Sequence, residues 1–266
     1  MYKTIQEQID FIIKQSADII IDVAGKDSYA ALAKYLGENN SNAIIRIIPV
    51  VVKVPSEYGS HETLQSSFEK FKKEISNTYF VSFSETIFIE EPILWHYLNG
   101  RFIAEYIKKY DFYSPCCGCH IYLHSIRAYI ANKLNIKTII SGERLSHGNK
   151  IKLNQLNSSI QYHSKILKEF GINHIQPILN ISDNLDIDKI VNKFISNDDL
   201  YHYKCLFSSN YRLTNNDVNI PVKLQSFYEL LIKITIKYLS ILELPINLIE
   251  KEMTLFIANC LSNESN

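Results

Sequence analysis

Three of the five cysteines crowd into the segment Cys116-Cys117-Gly118-Cys119, directly before a predicted helix. Cys116 and Cys119 have the C-x-x-C spacing that directs two thiolates toward one metal centre. One such pair cannot close a site, because structural zinc takes four ligands. In a long chain whose amino terminus lacks the order of a secretory signal, this crowding indicates metal or sulfur chemistry more than disulfide bonds.

Cys205 is the further cysteine that this pair would need. A closed zinc site would have to add Cys205 and a histidine such as His120 or His202. A [4Fe–4S] cluster held by Cys116, Cys119 and Cys205 fits the available cysteines better, and it leaves one iron open to hydrosulfide or substrate. Metal-free thiols, one carrying a persulfide and another resolving it, are an alternative, because thiolates at a helix start have a lowered pKa.

Residues 23–28 follow a buried apolar run and open a helix. Backbone N–H groups at a helix start have no acceptor within the helix, and the macrodipole favours negative charge there, so this junction predicts a polyphosphate site. Gly25 permits close backbone approach, Lys26 adds positive charge, Ser28 offers a hydroxyl, and Asp27 can hold Mg²⁺. The spacing excludes a Walker A loop. The alternative is a turn in which Asp27 or Ser28 only caps the helix.

A second polar segment, Ser141-Gly142-Glu143-Arg144, follows another predicted strand. So many polar groups after a buried strand predict a ligand-binding loop, although a solvated surface loop has the same composition. Ligands of open α/β sheets bind at the carboxyl ends of the strands, where this segment and residues 23–28 both lie.

The first loop resembles the SGGxDS signature of the PP-loop ATP pyrophosphatase superfamily, with Val23 in place of the usual serine and Ala24 in place of the first glycine. The resemblance implies that the loop binds ATP with Mg²⁺ and that Asp27 is catalytic. The second segment is similar to the G-x-R form of the sulfate-activating reductases, which implies nucleotide or substrate contacts there, with Lys152 as a further candidate. The nucleotide-binding residues predicted in this way are Val23, Ala24, Gly25, Lys26, Asp27, Ser28, Gly142 and Arg144.

The cysteines resemble those of the iron–sulfur-dependent tRNA thiolases of the same superfamily, in which a C-x-x-C joins a later cysteine. This resemblance implies a [4Fe–4S] cluster on Cys116, Cys119 and Cys205, with Cys119 and Cys205 also at the catalytic centre. Cys117 is an alternative ligand or a catalytic persulfide carrier. Cys260 lies among apolar residues and is expected to be a buried small hydrophobe.

These parts together predict an ATP-dependent sulfurtransferase, which would adenylate a carbonyl oxygen and replace it with sulfur, releasing AMP and pyrophosphate. The net charge of +0 and the lack of a basic run favour a nucleobase-like small molecule over a tRNA base, which remains an alternative. A cysteine desulfurase or free sulfide would supply sulfur. A thiol-dependent reductase of adenylylated sulfate and a non-catalytic nucleotide or metal sensor are further alternatives.

Short apolar runs alternate with helical segments along the first two thirds of the chain. The predicted strands are residues 17–23, 43–54, 79–83, 137–141 and 174–178, and the predicted helices are 29–36, 62–74, 93–109, 120–134 and 156–170. Parallel strands need crossover connections, so this alternation predicts an α/β fold: a Rossmann-like (HUP-type), mainly parallel five-stranded sheet with helices on both faces. A C-terminal helical extension completes it.

The composition, 46% hydrophobic and 21% charged, is that of a globular protein with a sizeable core. We expect a nucleotide-binding α/β domain over residues 1–180 and a mostly helical extension over 181–266 that carries Cys205 and could form a homodimer. The apolar region 227–244 contains Lys233, Lys237 and Glu243, which predicts a packed helix and no membrane span. A cytoplasmic location is expected.

Overall fold

The computed structural model describes residues 2–39, 43–148, 150–208 and 218–262. The strands are β1 (Ile19–Asp22), β2 (Ile45–Val52), β3 (Glu57–Tyr58), β4 (Val81–Phe83), β5 (Ile87–Ile89), β6 (Thr138–Ile140), β7 (Asn173–Ile175) and β8 (Lys204–Cys205). The helices are α1 (Ile5–Ile12), α2 (Lys26–Glu38), α3 (His61–Thr78), α4 (Pro92–Asn99), α5 (Ile103–Tyr110), α6 (Pro115–Lys133), α7 (Asn157–Glu169), α8 (Asn184–Val191), α9 (Leu224–Ser240) and α10 (Ile246–Ser262).

The main sheet has the order β4-β2-β1-β6-β7, and all of its pairings are parallel. The α/β fold with a mainly parallel sheet is confirmed, and each of the five predicted strands is present. The sheet has six strands, one more than expected, because β5 also pairs with β2. β2 is long enough to pair with β4 near its start and with β5 near its end.

Helices cover both faces of the sheet, and the strands alternate between two hydrophobic cores. Ile20 of β1 points into the core formed with α1, α4, α6, α7, α9 and α10, whereas Ile19 and Ile21 point into the core formed with α2, α3 and α8. This is the period of two expected for a strand buried on both sides. Each fully buried isoleucine contributes roughly 1.5–3 kcal/mol to the hydrophobic term.

The C-terminal helices pack onto the same core as the sheet. Phe227 and Leu231 of α9 and Met253 of α10 are completely buried in the cluster that also contains Ile20. Region 227–244 is thus a packed helix followed by a turn, as predicted. In the described parts of the chain, no helix combines the length and apolar character needed to cross a lipid bilayer. A boundary near residue 180 remains a prediction.

Two predicted helices differ from the observed ones in a way that affects the site. The predicted helix 93–109 is two helices, α4 and α5, because the backbone leaves helical geometry at Gly100. The predicted helix 120–134 begins earlier, since Pro115 occupies its first turn, where a missing backbone N–H costs nothing. The C-x-x-C motif therefore lies within α6 and not in a loop before it.

Glu91 connects helices on one face of the sheet. It precedes α4 and is only 3% exposed. Its carboxylate accepts hydrogen bonds from the Ile5 backbone N–H at 2.6 Å and from the Tyr238 hydroxyl at 3.0 Å, while its own N–H donates to the Tyr122 hydroxyl at 2.7 Å. Burial raises the pKa of Glu91 to about 7, although the two donated hydrogen bonds act in the opposite direction.

The raised pKa of Glu91 predicts a loss of stability with rising pH. Between its ordinary pKa of 4.5 and about 7, the folded chain keeps a proton that the unfolded chain has released. Stability therefore falls across this window and is level above it. Glu91→Gln should remove roughly 2–3 kcal/mol of this fall, measured as the difference in urea unfolding free energy between pH 5 and pH 8. Glu105→Gln, at an exposed position of α5, should leave the fall unchanged; equal effects of the two substitutions would contradict the assignment.

Candidate functional site

The predicted strand, turn and helix are present as β1, residues 23–25 and α2. The turn lies at the carboxyl edge of the main sheet. The Val23 N–H donates to the Val50 carbonyl at 3.1 Å, which extends the β1–β2 pairing by one residue. The Ala24 N–H then donates to the Ser28 Oγ at 3.1 Å, and α2 begins at Lys26. The backbone amides of the first turn of α2 have no acceptor within the helix, so this end of α2 is suited to an anion.

Two glycines let other backbone segments approach this loop. Gly25 has φ 143°, and a Cβ there would lie 2.7 Å from the Cβ of His202. A Cβ at Gly142 would lie 2.5 Å from the carbonyl carbon of Asp27 and 2.6 Å from the backbone nitrogen of Ser28. The second predicted loop therefore contacts the first directly through its backbone.

Arg144 is 1% exposed, and its guanidinium fixes the position of Asp27. It donates to the Asp27 carboxylate at 3.2 Å and to the Asn184 side chain at 3.0 Å, and also to the carbonyls of Ile181 and Ser182 at 2.7 and 2.8 Å. Because protein acceptors take up these donors, Arg144 orients Asp27 here. A direct contact of Arg144 with a nucleotide stays a prediction.

Lys26 and His147 also interact with acidic side chains at this edge. The Lys26 ammonium lies 2.7 Å from the Asp188 carboxylate of α8, in a pair that is about one third exposed. His147 Nε2 lies 3.5 Å from the Asp27 carboxylate, and burial lowers its pKa. The lysine charge is available to a phosphate only in competition with Asp188.

The structure brings the three cysteines predicted to be cluster ligands to one place. Cys116 and Cys119 are three residues apart on α6, which puts them on neighbouring positions of its surface. Cys205 comes from β8, which pairs with β3. The Ser56 hydroxyl contacts the Cys205 sulfur at 3.8 Å and also the Cys119 thiol, and all three thiols influence one another electrostatically.

Three cysteine thiols from two elements are donors of the type that binds a [4Fe–4S] cluster. The Trp95 Nε1–H donates to the Cys119 sulfur at 3.3 Å. Hydrogen bonds to sulfur are among the interactions with which proteins tune the potential of such clusters. In a cube each thiolate binds a different iron, so the three sulfur atoms need not converge on one point as they would for a single ion.

The other two cysteines are placed differently. Cys117 is completely buried, and its thiol interacts with the Tyr228 hydroxyl of α9. Cys260 on α10 packs against the apolar core as predicted, but it is half-buried and not buried.

The expectation of lowered thiol pKa values is wrong. Burial raises the pKa of both Cys116 and Cys117 to about 12, and it raises that of Cys119 as well. Loss of hydration outweighs the helix start, because a thiolate in apolar surroundings is costly.

A cluster of four buried or half-buried side chains lies one turn further along α6. Of its members only His120 was predicted as a metal ligand, and then together with the cysteines. His120 and His124 of α6, His163 of α7 and Glu143 of the second loop place one possible ligand atom each within 4.8 Å of all the others. The Glu143 Oε1 is 3.3, 2.9 and 3.8 Å from nitrogens of His120, His124 and His163. Burial lowers the pKa of His124, and that of His163 to well below its usual range, so both rings are neutral. The only sequence signal was the spacing of four between His120 and His124, which puts two rings on one helix face.

The same face of α6 reaches the end of β1. Arg127, one turn beyond His124, forms a buried ion pair with Asp22, the residue directly before the first loop. Burial raises the pKa of Asp22, and Arg127 opposes this shift. The two cysteines, the two histidines and Arg127 thus follow one another along α6, and Arg127 contacts the residue before the first loop.

These features define an α/β protein with a parallel sheet and a polar, cysteine-containing site at the carboxyl edge of that sheet. The sequence is 34% identical over 204 residues to the uncharacterized protein MJ0009 from Methanocaldococcus jannaschii, an alignment that spans 75% of this chain and 71% of the relative. The chain therefore belongs to the same protein family as MJ0009. No protein-family model matches it.

A solved structure is similar in outline. The U34-tRNA thiolase NcsA from Methanococcus maripaludis, with its [4Fe–4S] cluster, aligns with a TM-score of 0.38 and 12% identity over 97% of this chain and 80% of that one. A likeness at this level carries no information on function.

The contact between Gly142 and the first loop predicts that a side chain at this position is destabilising. Gly142→Ala forces the backbone of Asp27 and Ser28 away, at a cost of roughly 1–3 kcal/mol in urea unfolding free energy. Gly37→Ala is the matched control, since its Cβ in α2 would meet only the Tyr79 hydroxyl at 3.3 Å and alanine favours a helix by up to about 1 kcal/mol. If the Gly142 variant is as stable as the Gly37 variant, the two loops are not in contact.

Proposed function

We propose that this protein is an ATP-dependent sulfurtransferase that adenylates a carbonyl oxygen of a nucleobase-like small molecule and replaces it with sulfur. Residues 23–28, with Gly142, would bind ATP and Mg²⁺. Cys116, Cys119 and Cys205 would form the sulfur-handling centre. The two steps would take place at nucleotide and sulfur sites that share one edge of the sheet.

The observation that carries this proposal is the path of residues 201–205. His202 lies against Gly25 of the first loop, and Cys205, three residues later, lies beside Ser56 and next to Cys119. Tyr201 anchors the segment, because its hydroxyl accepts the Ser60 N–H at 2.6 Å. A short segment thus joins the candidate phosphate loop to the cysteines, as a reaction with consecutive adenylation and sulfur transfer requires.

In the first step the substrate carbonyl oxygen attacks the α-phosphorus of ATP. A bond from that oxygen to phosphorus forms, the bond to the bridging oxygen breaks, and pyrophosphate leaves. Amides of the first turn of α2 are suited to hold the departing phosphates, and Asp27, oriented by Arg144, is suited to hold Mg²⁺. In the second step a sulfur nucleophile attacks the carbonyl carbon, and AMP leaves with the original oxygen.

The second step, the transfer of sulfur, would take place at the three cysteines. When bound to Cys116, Cys119 and Cys205, a [4Fe–4S] cluster would supply an iron without a protein ligand, to which hydrosulfide can bind. Trp95 and Ser56 position Cys119 and Cys205 through their contacts with the sulfur atoms. A cysteine desulfurase or free sulfide would provide the sulfur, and a cytoplasmic location suits the reduced thiols.

A small substrate is favoured over tRNA by charge. The chain has 28 basic and 28 acidic residues, whereas an RNA-binding surface is normally basic. Salt titration distinguishes the two substrates, since several phosphate contacts would make tRNA binding fall steeply with salt.

Adenylation can be tested by the products that are released and by the ATP affinity of an Asp27 variant. Anaerobically purified protein given ATP, Mg²⁺, sulfide and a panel of nucleobases and nucleosides should release AMP and pyrophosphate. Asp27→Asn should weaken ATP binding in the presence of Mg²⁺ by about tenfold or more, which is about 1.4 kcal/mol, because one metal-binding charge is lost. Calorimetry with ATP measures the affinity, and Asp186→Asn on the exposed face of α8 is the matched control.

The sulfur step is tested separately. Cys119→Ser and Cys205→Ser should retain ATP binding and lose formation of the thiolated product, while Cys260→Ser should retain both. Release of ADP and phosphate would rule out the adenylation chemistry, and full thiolation by the Cys205 variant would rule out the sulfur site.

A further inference from the structure

The side-chain cluster of His120, His124, Glu143 and His163 has the composition of a metal site. Three elements of the fold supply it: α6 gives two histidines one turn apart, α7 gives the third, and the loop after β6 gives the carboxylate. His124 and His163 are 1% and 0% exposed, so the cluster lies inside the protein and not on its surface. Buried groups of this kind are normally paired or bound to metal.

Glu143 forms hydrogen bonds with His120 and His124, but these leave other ring nitrogens of the cluster without a partner. In the described part of the chain neither ring nitrogen of His163 has a hydrogen-bond partner, and Nδ1 of His124 lacks one as well. The neighbouring His174 is different: its nitrogens contact the hydroxyls of Ser141 and Ser164 at 2.7 and 2.9 Å. A completely buried imidazole with two unpaired nitrogens is costly unless a further partner binds it.

We propose that His120, His124, His163 and Glu143 together bind one divalent transition-metal ion of the zinc and iron(II) class. Neutral imidazoles and a carboxylate are the ligands that these ions accept, and they exclude the oxygen-only coordination of Mg²⁺ and Ca²⁺. Bond lengths of about 2.0–2.2 Å in a tetrahedral site place donor atoms roughly 3.3 Å apart. The separations of 3.3, 2.9 and 3.8 Å from Glu143 agree with this spacing.

Four protein ligands make this a closed, structural site. Catalytic zinc keeps a position for water or substrate, whereas structural zinc has four protein ligands. Asn154 lies on the far side of His120, with its amide nitrogen Nδ2 2.8 Å from Nε2. Turning this amide by 180° brings its oxygen to the same position, where it would accept the Nε2–H and leave the Nδ1 lone pair for the metal, which is the usual support for a ligating histidine.

The ion would hold the second loop in place. Glu143 lies between Gly142, which contacts the first loop, and Arg144, which fixes Asp27. A metal bound to Glu143 ties these residues to α6 and α7. The site is separate from the cysteine group, because no thiol belongs to it; its existence therefore does not depend on the proposed sulfur chemistry.

The experiment compares metal content in four forms of the full chain. The starting protein is the triple variant Cys116→Ser, Cys119→Ser, Cys205→Ser, which removes any cluster iron. Elemental analysis should find about one equivalent of zinc or iron, and an assay for acid-labile sulfide should find none. Adding His163→Gln should remove this equivalent, and adding His174→Gln, the matched control next to the cluster, should leave it. The unmodified chain serves as reference for cluster iron.

A second measurement does not depend on the folding of the histidine variants. Chelator-treated triple variant is titrated with Co²⁺, and one equivalent should produce the visible absorption of four-coordinate cobalt without the thiolate charge-transfer band. Saturating Zn²⁺ should raise Tm by roughly 10 °C. Equal metal content in the His163 and His174 variants, or no Co²⁺ uptake by the folded treated protein, would overturn the proposal. If the triple variant has no sulfide but keeps the histidine-bound metal, the metal-site proposal stands even if the sulfurtransferase proposal fails.

Discussion

The ion pair between Arg127 and Asp22 fixes helix α6 to the end of the central strand β1. Both groups are buried, and removing one partner of such a pair costs roughly 3–5 kcal/mol, because the other charge is left without compensation. From Arg127 back to Cys116 the helix rises about 16 Å. The positions of the histidines and of the two cysteines on this helix relative to the first loop are therefore determined by one interaction and by regular helix geometry.

The sequence predicts the sheet well because its strands are rich in isoleucine and valine and alternate with segments of helical periodicity. It misses β5, which follows β4 without a helix between them and pairs with the far end of β2. The start of α6 is also misplaced, because three cysteines and a glycine do not show helical periodicity, although Pro115 is a typical residue of a first helical turn. Local pattern predicts elements that carry their own signal, and tertiary pairing supplies the others.

The candidate site is predictable only in part for a similar reason. Residues 23–28 and the C-x-x-C motif are contiguous, so their chemistry is visible in the sequence. Glu143 and His163 become neighbours of His120 only after α6, β6 and α7 have packed, and no short spacing joins them. Composition also does not distinguish a side chain that binds a ligand from one that positions another side chain: Arg144 has the same place in the sequence in either role, and only its four protein acceptors show which one it has here.

The segment from His202 to Cys205 links the first loop at Gly25 to the cysteine group. Three residues reach at most about 10 Å, and the segment is held by Tyr201 at one end and by the pairing of Cys205 with Glu57 at the other. Any displacement of His202 from Gly25 is then limited by the pairing of Cys205 with Glu57. The backbone that lies over the first loop and the backbone that carries the thiol are thereby parts of one short span that is anchored at both ends.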